Sequence, residues 1–150
     1  MAEQKFVVFR LQDEEYGLNI EQVNEILVWQ EPTKYPQGEE LITGIINLRG
    51  KIIPIIDLKM RFYGVPINRD DNVRIIVANN GEQILGLAVD EVIEVIVLND
   101  NMIEVTPDIM AKINPGVSGV GKLTDRLLIL LDITKIFSLG EFDQIESAAN

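Results

Sequence analysis

Two blocks of this chain repeat each other in the same order and at nearly the same spacing. At an offset of 69 residues, Gly17 falls on Gly86, Leu18 on Leu87, Val23 on Val92, Glu25 on Glu94 and Ile26 on Val95. At an offset of 75, Gly44 falls on Gly119, Ile53 on Leu128, Ile55 on Leu130, Ile56 on Leu131, Asp57 on Asp132, Leu58 on Ile133 and Phe62 on Phe137. The pattern predicts a duplicated unit of about 70 residues, with the difference of six between the offsets lying in a loop. A chain of 150 residues is about one domain. The two units therefore share one fold or sit side by side with an apolar face buried between them and a groove at their junction.

The periodicity inside each unit is that of strands. Phe6 to Leu11 is a β-rich run, Gln12-Asp13-Glu14 a polar turn, and Glu15 to Ile20 the returning strand. Val73 to Ala78 and Gln83 to Val89 form a second hairpin, in which Asn80-Gly81 is the pair favoured in a two-residue turn with positive φ at both positions. Each unit supplies roughly five short strands at the 8–12-residue spacing of sandwiches and small barrels. Asp57 and Asp132 each end an apolar strand and precede a short segment of helical period, so both are read as helix N-caps. Residues from about 138 to 150 are expected to be a C-terminal tail, frayed or weakly helical.

Composition removes several chemistries. With no Cys and no His, thiolate catalysis, Ser-His triads and Cys/His metal sites are impossible, and no cofactor or metal is expected. A net charge of −11, with basic residues scattered singly, argues against a nucleic-acid partner. The most apolar stretch, Leu41 to Phe62, contains Arg49, Lys51, Asp57, Lys59 and Arg61 and cannot cross a bilayer as a helix. With no signal peptide visible at Met1 to Leu11, the chain is read as soluble and cytoplasmic.

Local motifs are mostly bland. Gly116 to Lys122 nearly spells a phosphate loop, but Leu123 stands where a hydroxyl is needed, and a strand, Leu127 to Leu131, is expected where the phosphate-capping helix would begin. Asn99-Asp100-Asn101 lacks the glycine and distal glutamate of a calcium loop. Asp13-Glu14-Glu15, Glu39-Glu40 and Asp70-Asp71 read as solvated turns. Asn47-Leu48-Arg49-Gly50 differs from these: it joins two Ile-rich strands, Gly50 can take positive φ, and the turn holds Arg49 out from a rigid strand pair. On the residues alone, a partner contact and an ion pair with a neighbouring carboxylate are both open.

The run Gly44 to Leu58, preceded by Glu14-Glu15-Tyr16-Gly17-Leu18 and Val23-Asn24-Glu25-Ile26 and followed by Gly86 to Asp90, resembles the CheW-like chemotaxis coupling proteins over about Phe6 to Phe137. The resemblance implies an all-β fold of two intertwined five-stranded, SH3-like β-barrel subdomains with short helices, the whole chain forming one domain. It also implies a non-catalytic adaptor joining the cytoplasmic tips of methyl-accepting chemotaxis receptors to the regulatory domain of the histidine kinase CheA. A small-ligand-binding β-barrel is the alternative.

Two sets of contact residues follow. Phe6, Val8 and Arg10 lie on one face of the first strand and Val7, Phe9 and Leu11 on the other, so one barrel core cannot explain both apolar sets. The surplus packs the other barrel or a partner. With the resemblance, Val7, Ile20 and Val23 become candidate kinase-binding residues. Glu25, Arg49 and Val95 become candidate receptor-binding residues on one surface between the subdomains.

Overall fold

The computed structural model describes residues 2–36 and 42–136. The tail from about 138 onward, Phe137 and the Glu39-Glu40 pair lie outside the described residues. Strands run β1 (Glu3–Leu11), β2 (Glu14–Asn19), β3 (Val23–Val28), β4 (Ile42–Leu48), β5 (Lys51–Asp57), β6 (Arg74–Asn79), β7 (Ile84–Val89), β8 (Glu91–Asn99), β9 (Ile103–Val105), β10 (Val117–Lys122) and β11 (Leu127–Leu131). Three short helices, α1 (Leu58–Tyr63), α2 (Asp108–Ile113) and α3 (Ile133–Ile136), follow β5, β9 and β11. Of these, α2 carries no signal noted in the sequence.

The strands form two sheets, with orders β8-β1-β2-β11-β10-β9 and β3-β6-β7-β5-β4. Neither sequence block closes on itself. The first hairpin, β1–β2, pairs in parallel with β11 of the second block, Gly17 facing Leu130. The second hairpin, β6–β7, pairs in parallel with β5 of the first block, Gly86 facing Ile55. Each block lends its hairpin to the other's sheet, which corrects the side-by-side arrangement.

The two sheets match position by position. β3 meets β6 with a bulge between Val23 and Glu25, and β8 meets β1 with a bulge between Val92 and Glu94, 69 residues later. The β4–β5 and β10–β11 ladders both slip, between Ile42 and Gly44 and between Val117 and Gly119. A Cβ on Gly44 would stand 2.5 Å from the Thr33 carbonyl oxygen, and one on Gly119 would stand 2.8 Å from that of Glu104. At both positions a neighbouring backbone passes too close for a side chain. That neighbour is β9 in one sheet but only the single bridge Thr33–Ile45 in the other, so one sheet has six strands instead of the five expected.

This layout leaves most strands with two buried faces. Phe6 and Val8 pack inside their own sheet with Leu98, Leu128 and Leu130. Val7, Phe9 and Leu11 enter a core shared by both sheets, with Ile56, Ile76, Leu87 and Leu131. The surplus face of the first strand is thus covered by the second sheet.

Between the sheets, the buried carboxylate of Asp90, which separates β7 from β8, accepts the Gln12 N–H at 2.8 Å and lies 3.6 Å from Lys59 Nζ. Asp57 Oδ1 accepts the Met60 N–H at 3.0 Å and starts α1, and Asp132 Oδ1 accepts the Thr134 N–H at 2.9 Å and starts α3. Both aspartates cap helices as expected, a role typically worth about 1 kcal/mol.

The Asn80-Gly81 turn differs from expectation. Gly81 has φ 101° but Asn80 is not in the positive-φ region, and residues 80–83 form a four-residue loop. The Asn80 side chain, which accepts the N–H groups of Glu82 and Gln83, makes the longer loop self-satisfying. No helix among the described residues is long and apolar enough to cross a membrane.

Candidate functional site

The two-residue turn with positive φ at both positions is instead Arg49-Gly50, φ 51° and 85°, which joins the register pair Leu48–Lys51. A left-handed arginine is uncommon. It is held here because the Asn47 side chain accepts the Gly50 N–H at 2.8 Å and the hairpin demands the primed-turn twist. The turn aims Arg49 at Glu25 on β3. Arg49 donates from Nη1 to Glu25 Oε1 at 3.2 Å and from Nη2 to Oε2, a two-pronged pair. Its side chain stays 70% exposed while that of Glu25 is 28% exposed, so the guanidinium has room for a second acceptor. The hydrogen bonds from Arg49 hold the Glu25 carboxyl below its ordinary range, which favours its ionised form.

The same device recurs in the other sheet. Arg126, in the turn just before β11, donates from Nε to Glu15 Oε1 on β2 at 2.8 Å and from Nη2 to Glu94 Oε2 on β8 at 2.9 Å. Its Nη1 meets both oxygens of Asp125 at 3.1 Å. In each sheet, two strands lie between the ends so joined, β6 and β7 between β3 and β5, and β1 and β2 between β8 and β11. In a flat sheet three strand steps span roughly 14 Å. Each ion pair joins those strands directly, as a sheet curled into a barrel allows. Arg49–Glu25 and Arg126–Glu94 are clamps across the open seams of the two curled sheets.

Beside the clamps, the seam-side edge strands β3 and β8 expose apolar side chains at matching positions: Ile26 and Val28 on one, Val95 and Val97 on the other. Ile26 stands opposite Ile76 and Val95 opposite Val7, and both partners lie in the shared core. Cross-strand neighbours share a face. Ile26 and Val95 therefore continue the shared core outward to the surface. Contiguous exposed apolar groups on strand edges are the kind of surface that protein partners cover.

The candidate residues divide accordingly. Glu25 and Arg49 are joined directly. Val95 is half-exposed at 53% but belongs to the other sheet, where its neighbouring clamp is Glu94–Arg126. Ile20 is exposed in a 3-10 turn, Ile20–Gln22, in which the Asn19 side chain accepts the Glu21 N–H. Val23 is half-buried against the shared core. Val7 is only 2% exposed, a correction to its reading as surface: its outward side is taken by the second sheet.

The near-phosphate loop is strand β10, whose Gly119 to Lys122 pair with β11, so their N–H groups cannot cradle an anion. Among the described residues, no group of three or more Asp or Glu could hold a metal. The sequence reading missed Ile26 and Arg126. The first was visible as the counterpart of Val95; the second was not, because Arg49 has no arginine at its own offset.

Comparison with known proteins gives consistent matches. Residues 5–141 match the family described as the CheW-like domain. The chemotaxis protein CheW of Klebsiella aerogenes is 36% identical over 147 residues, covering 97% of this chain and 89% of that one. The chemotaxis protein CheW of Bacillus subtilis is 34% identical over 134 residues, covering 89% and 86%. The crystal structure of the scaffolding protein TtCheW from Thermoanaerobacter tengcongensis superposes with a TM-score of 0.79 at 41% identity, covering 87% of this chain and 90% of that one. The small-ligand barrel is not favoured by these relatives.

Proposed function

This chain belongs to the CheW-like family and is a chemotaxis adaptor, and we propose that it joins the cytoplasmic tips of methyl-accepting chemoreceptors to the regulatory domain of the histidine kinase CheA. In this reading it is one domain of two pseudo-repeated, interlocked sheets, cytoplasmic and recruited to membrane receptor arrays through its partners. It does no chemistry of its own. The receptor tip lies against Glu25, Arg49 and Val95, and the kinase meets the surface around Ile20 and Val23.

The observation that carries this reading is the pairing of a rigid, two-sheet core with apolar edges left open beside an exposed arginine. A side chain as exposed as Arg49, fixed by a strained turn and a two-pronged partner, is pre-organised for a carboxylate on a receptor helix. Exposed Ile26 and Val95 supply apolar contact on either side of the shared core. A partner that covers both edges gains burial at about 25 cal/mol per Å² of apolar surface and pays little ordering cost, because both edges are already fixed by the sheets.

Titration of the protein with a receptor cytoplasmic fragment, and separately with a CheA regulatory domain, is expected to give saturable binding to each. ATP is expected to give no heat of binding, and Lys122→Ala is expected to leave both affinities unchanged, because Lys122 lies on a paired strand 3.9 Å from Glu104. ATP binding abolished by Lys122→Ala, or binding to neither protein, would overturn the reading.

A further inference from the structure

We infer that Arg126 is a positioning residue for the receptor-facing surface, holding the exposed edge of β8 and thus Val95 in place through Glu94 as Arg49 holds β3 through Glu25. The inference rests on the receptor-binding reading of Val95 given above. Glu94 is the residue before Val95 on an edge strand whose only strand neighbour among the described residues is β1. The ends of β8 are anchored by Arg10–Glu91 at one and by buried Leu98 at the other, while at its exposed middle, around Val95, this ion pair adds to the β1 ladder. The bulge between Val92 and Glu94 interrupts that ladder next to the clamp. Arg126 is thus placed where the backbone pairing is weakest.

The charge arrangement makes the dependence strong. Three carboxylates, those of Glu15, Glu94 and Asp125, face the single guanidinium of Arg126. Without it, Glu15 on β2 and Glu94 on β8, on the two strands that flank β1, are left as like charges facing one vacated site, and their repulsion disfavours the paired position of the edge. Among the described residues Arg49 faces only Glu25, so its loss leaves no such repulsion there. The side chain of Arg126 is 31% exposed against 70% for Arg49. Arg126 is the more enclosed of the two and its bonds are taken up within the chain, whereas Arg49 presents itself outward. The two arginines share a geometry but divide the work: Arg49 meets the partner, and Arg126 sets the edge that the partner meets.

Three variants of the full chain test this: Arg126→Ala, Arg126→Lys, and Arg126→Ala combined with Glu94→Gln. The readouts are hydrogen exchange of the β8 amides and calorimetric affinity for a receptor cytoplasmic fragment and for a CheA regulatory domain. Arg126→Ala is expected to speed exchange at residues 93–97 about 10-fold or more without speeding exchange in β6 or β7. It is expected to weaken receptor binding about 10-fold while kinase binding holds. Arg126→Lys, and removal of the repulsion by Glu94→Gln, should each restore part of both effects. Unchanged exchange in β8, or equal weakening toward both partners, would overturn the inference. If the wild type binds no receptor fragment, the receptor reading falls, and the exchange data alone then decide whether Arg126 positions β8.

Discussion

Arg49→Ala is expected to weaken binding of a receptor cytoplasmic fragment roughly 30-fold or more and to leave affinity for the kinase regulatory domain unchanged. The expectation follows from where the guanidinium stands. Arg49 is fixed by a two-residue turn with positive φ at both positions, its fork is paired with Glu25, and most of its side chain remains open to a partner. If the pair served only to close the seam in water, its removal would be nearly silent, since exposed ion pairs contribute little. A large, one-sided loss requires that the arginine be desolvated in the complex. Because Arg49 holds the Glu25 carboxyl below its ordinary range, the clamp persists to lower pH than an unpaired glutamate would allow; lowering the pH through that depressed range protonates Glu25 and removes the clamp. Calorimetry against both partners checks the prediction. Equal weakening toward both, or none toward the receptor, contradicts it.

Val7→Asp is expected to abolish the cooperative thermal transition, and Ile20→Asp to leave that transition in place while weakening kinase binding. Val7 is 2% exposed and lies in the shared core with Phe9, Leu11 and Ile76. An unpaired carboxylate there costs several kcal/mol, a large part of the 5–15 kcal/mol that holds a domain together. Ile20 is 38% exposed in a capped turn, where a charge is hydrated in the free protein and becomes costly only when a partner covers it. Val23, half-buried against the same core, is expected to lose some of both. Circular dichroism separates the cases, with kinase titration of the variants that fold. A folded Val7→Asp that loses only kinase binding would restore Val7 to the surface.

How far the chain could be read before its structure follows from which contacts are local. The strands, the caps at Asp57 and Asp132 and the failure of the phosphate loop were legible because each depends on neighbouring residues. So was the correspondence of Val23 and Glu25 with Val92 and Glu94, which the offset of 69 preserves down to the bulge. The exchange of hairpins was not legible from periodicity, because Gly17 and Gly86 look alike and either could pair with either parallel strand.

The fate of the surplus face of β1 has the same cause. Alternation shows that Val7 needs cover but not whether a sheet or a partner supplies it. Arg126 was hidden for a different reason. The turn before β11 is built differently from Arg49-Gly50, so a clamp equivalent in space has no equivalent in alignment. In the 80–83 loop, side-chain capping by Asn80 outweighed the turn preference of Asn-Gly.

The adaptor account requires that both partners be held at once. An immobilised receptor cytoplasmic fragment, challenged with a CheA regulatory domain in the presence and absence of this protein, measures that directly. The account predicts that the kinase domain is retained only when the protein is added, that Arg49→Ala releases protein and kinase together, and that Ile20→Asp releases the kinase alone. Retention of the protein with the kinase excluded, each partner displacing the other, would contradict it.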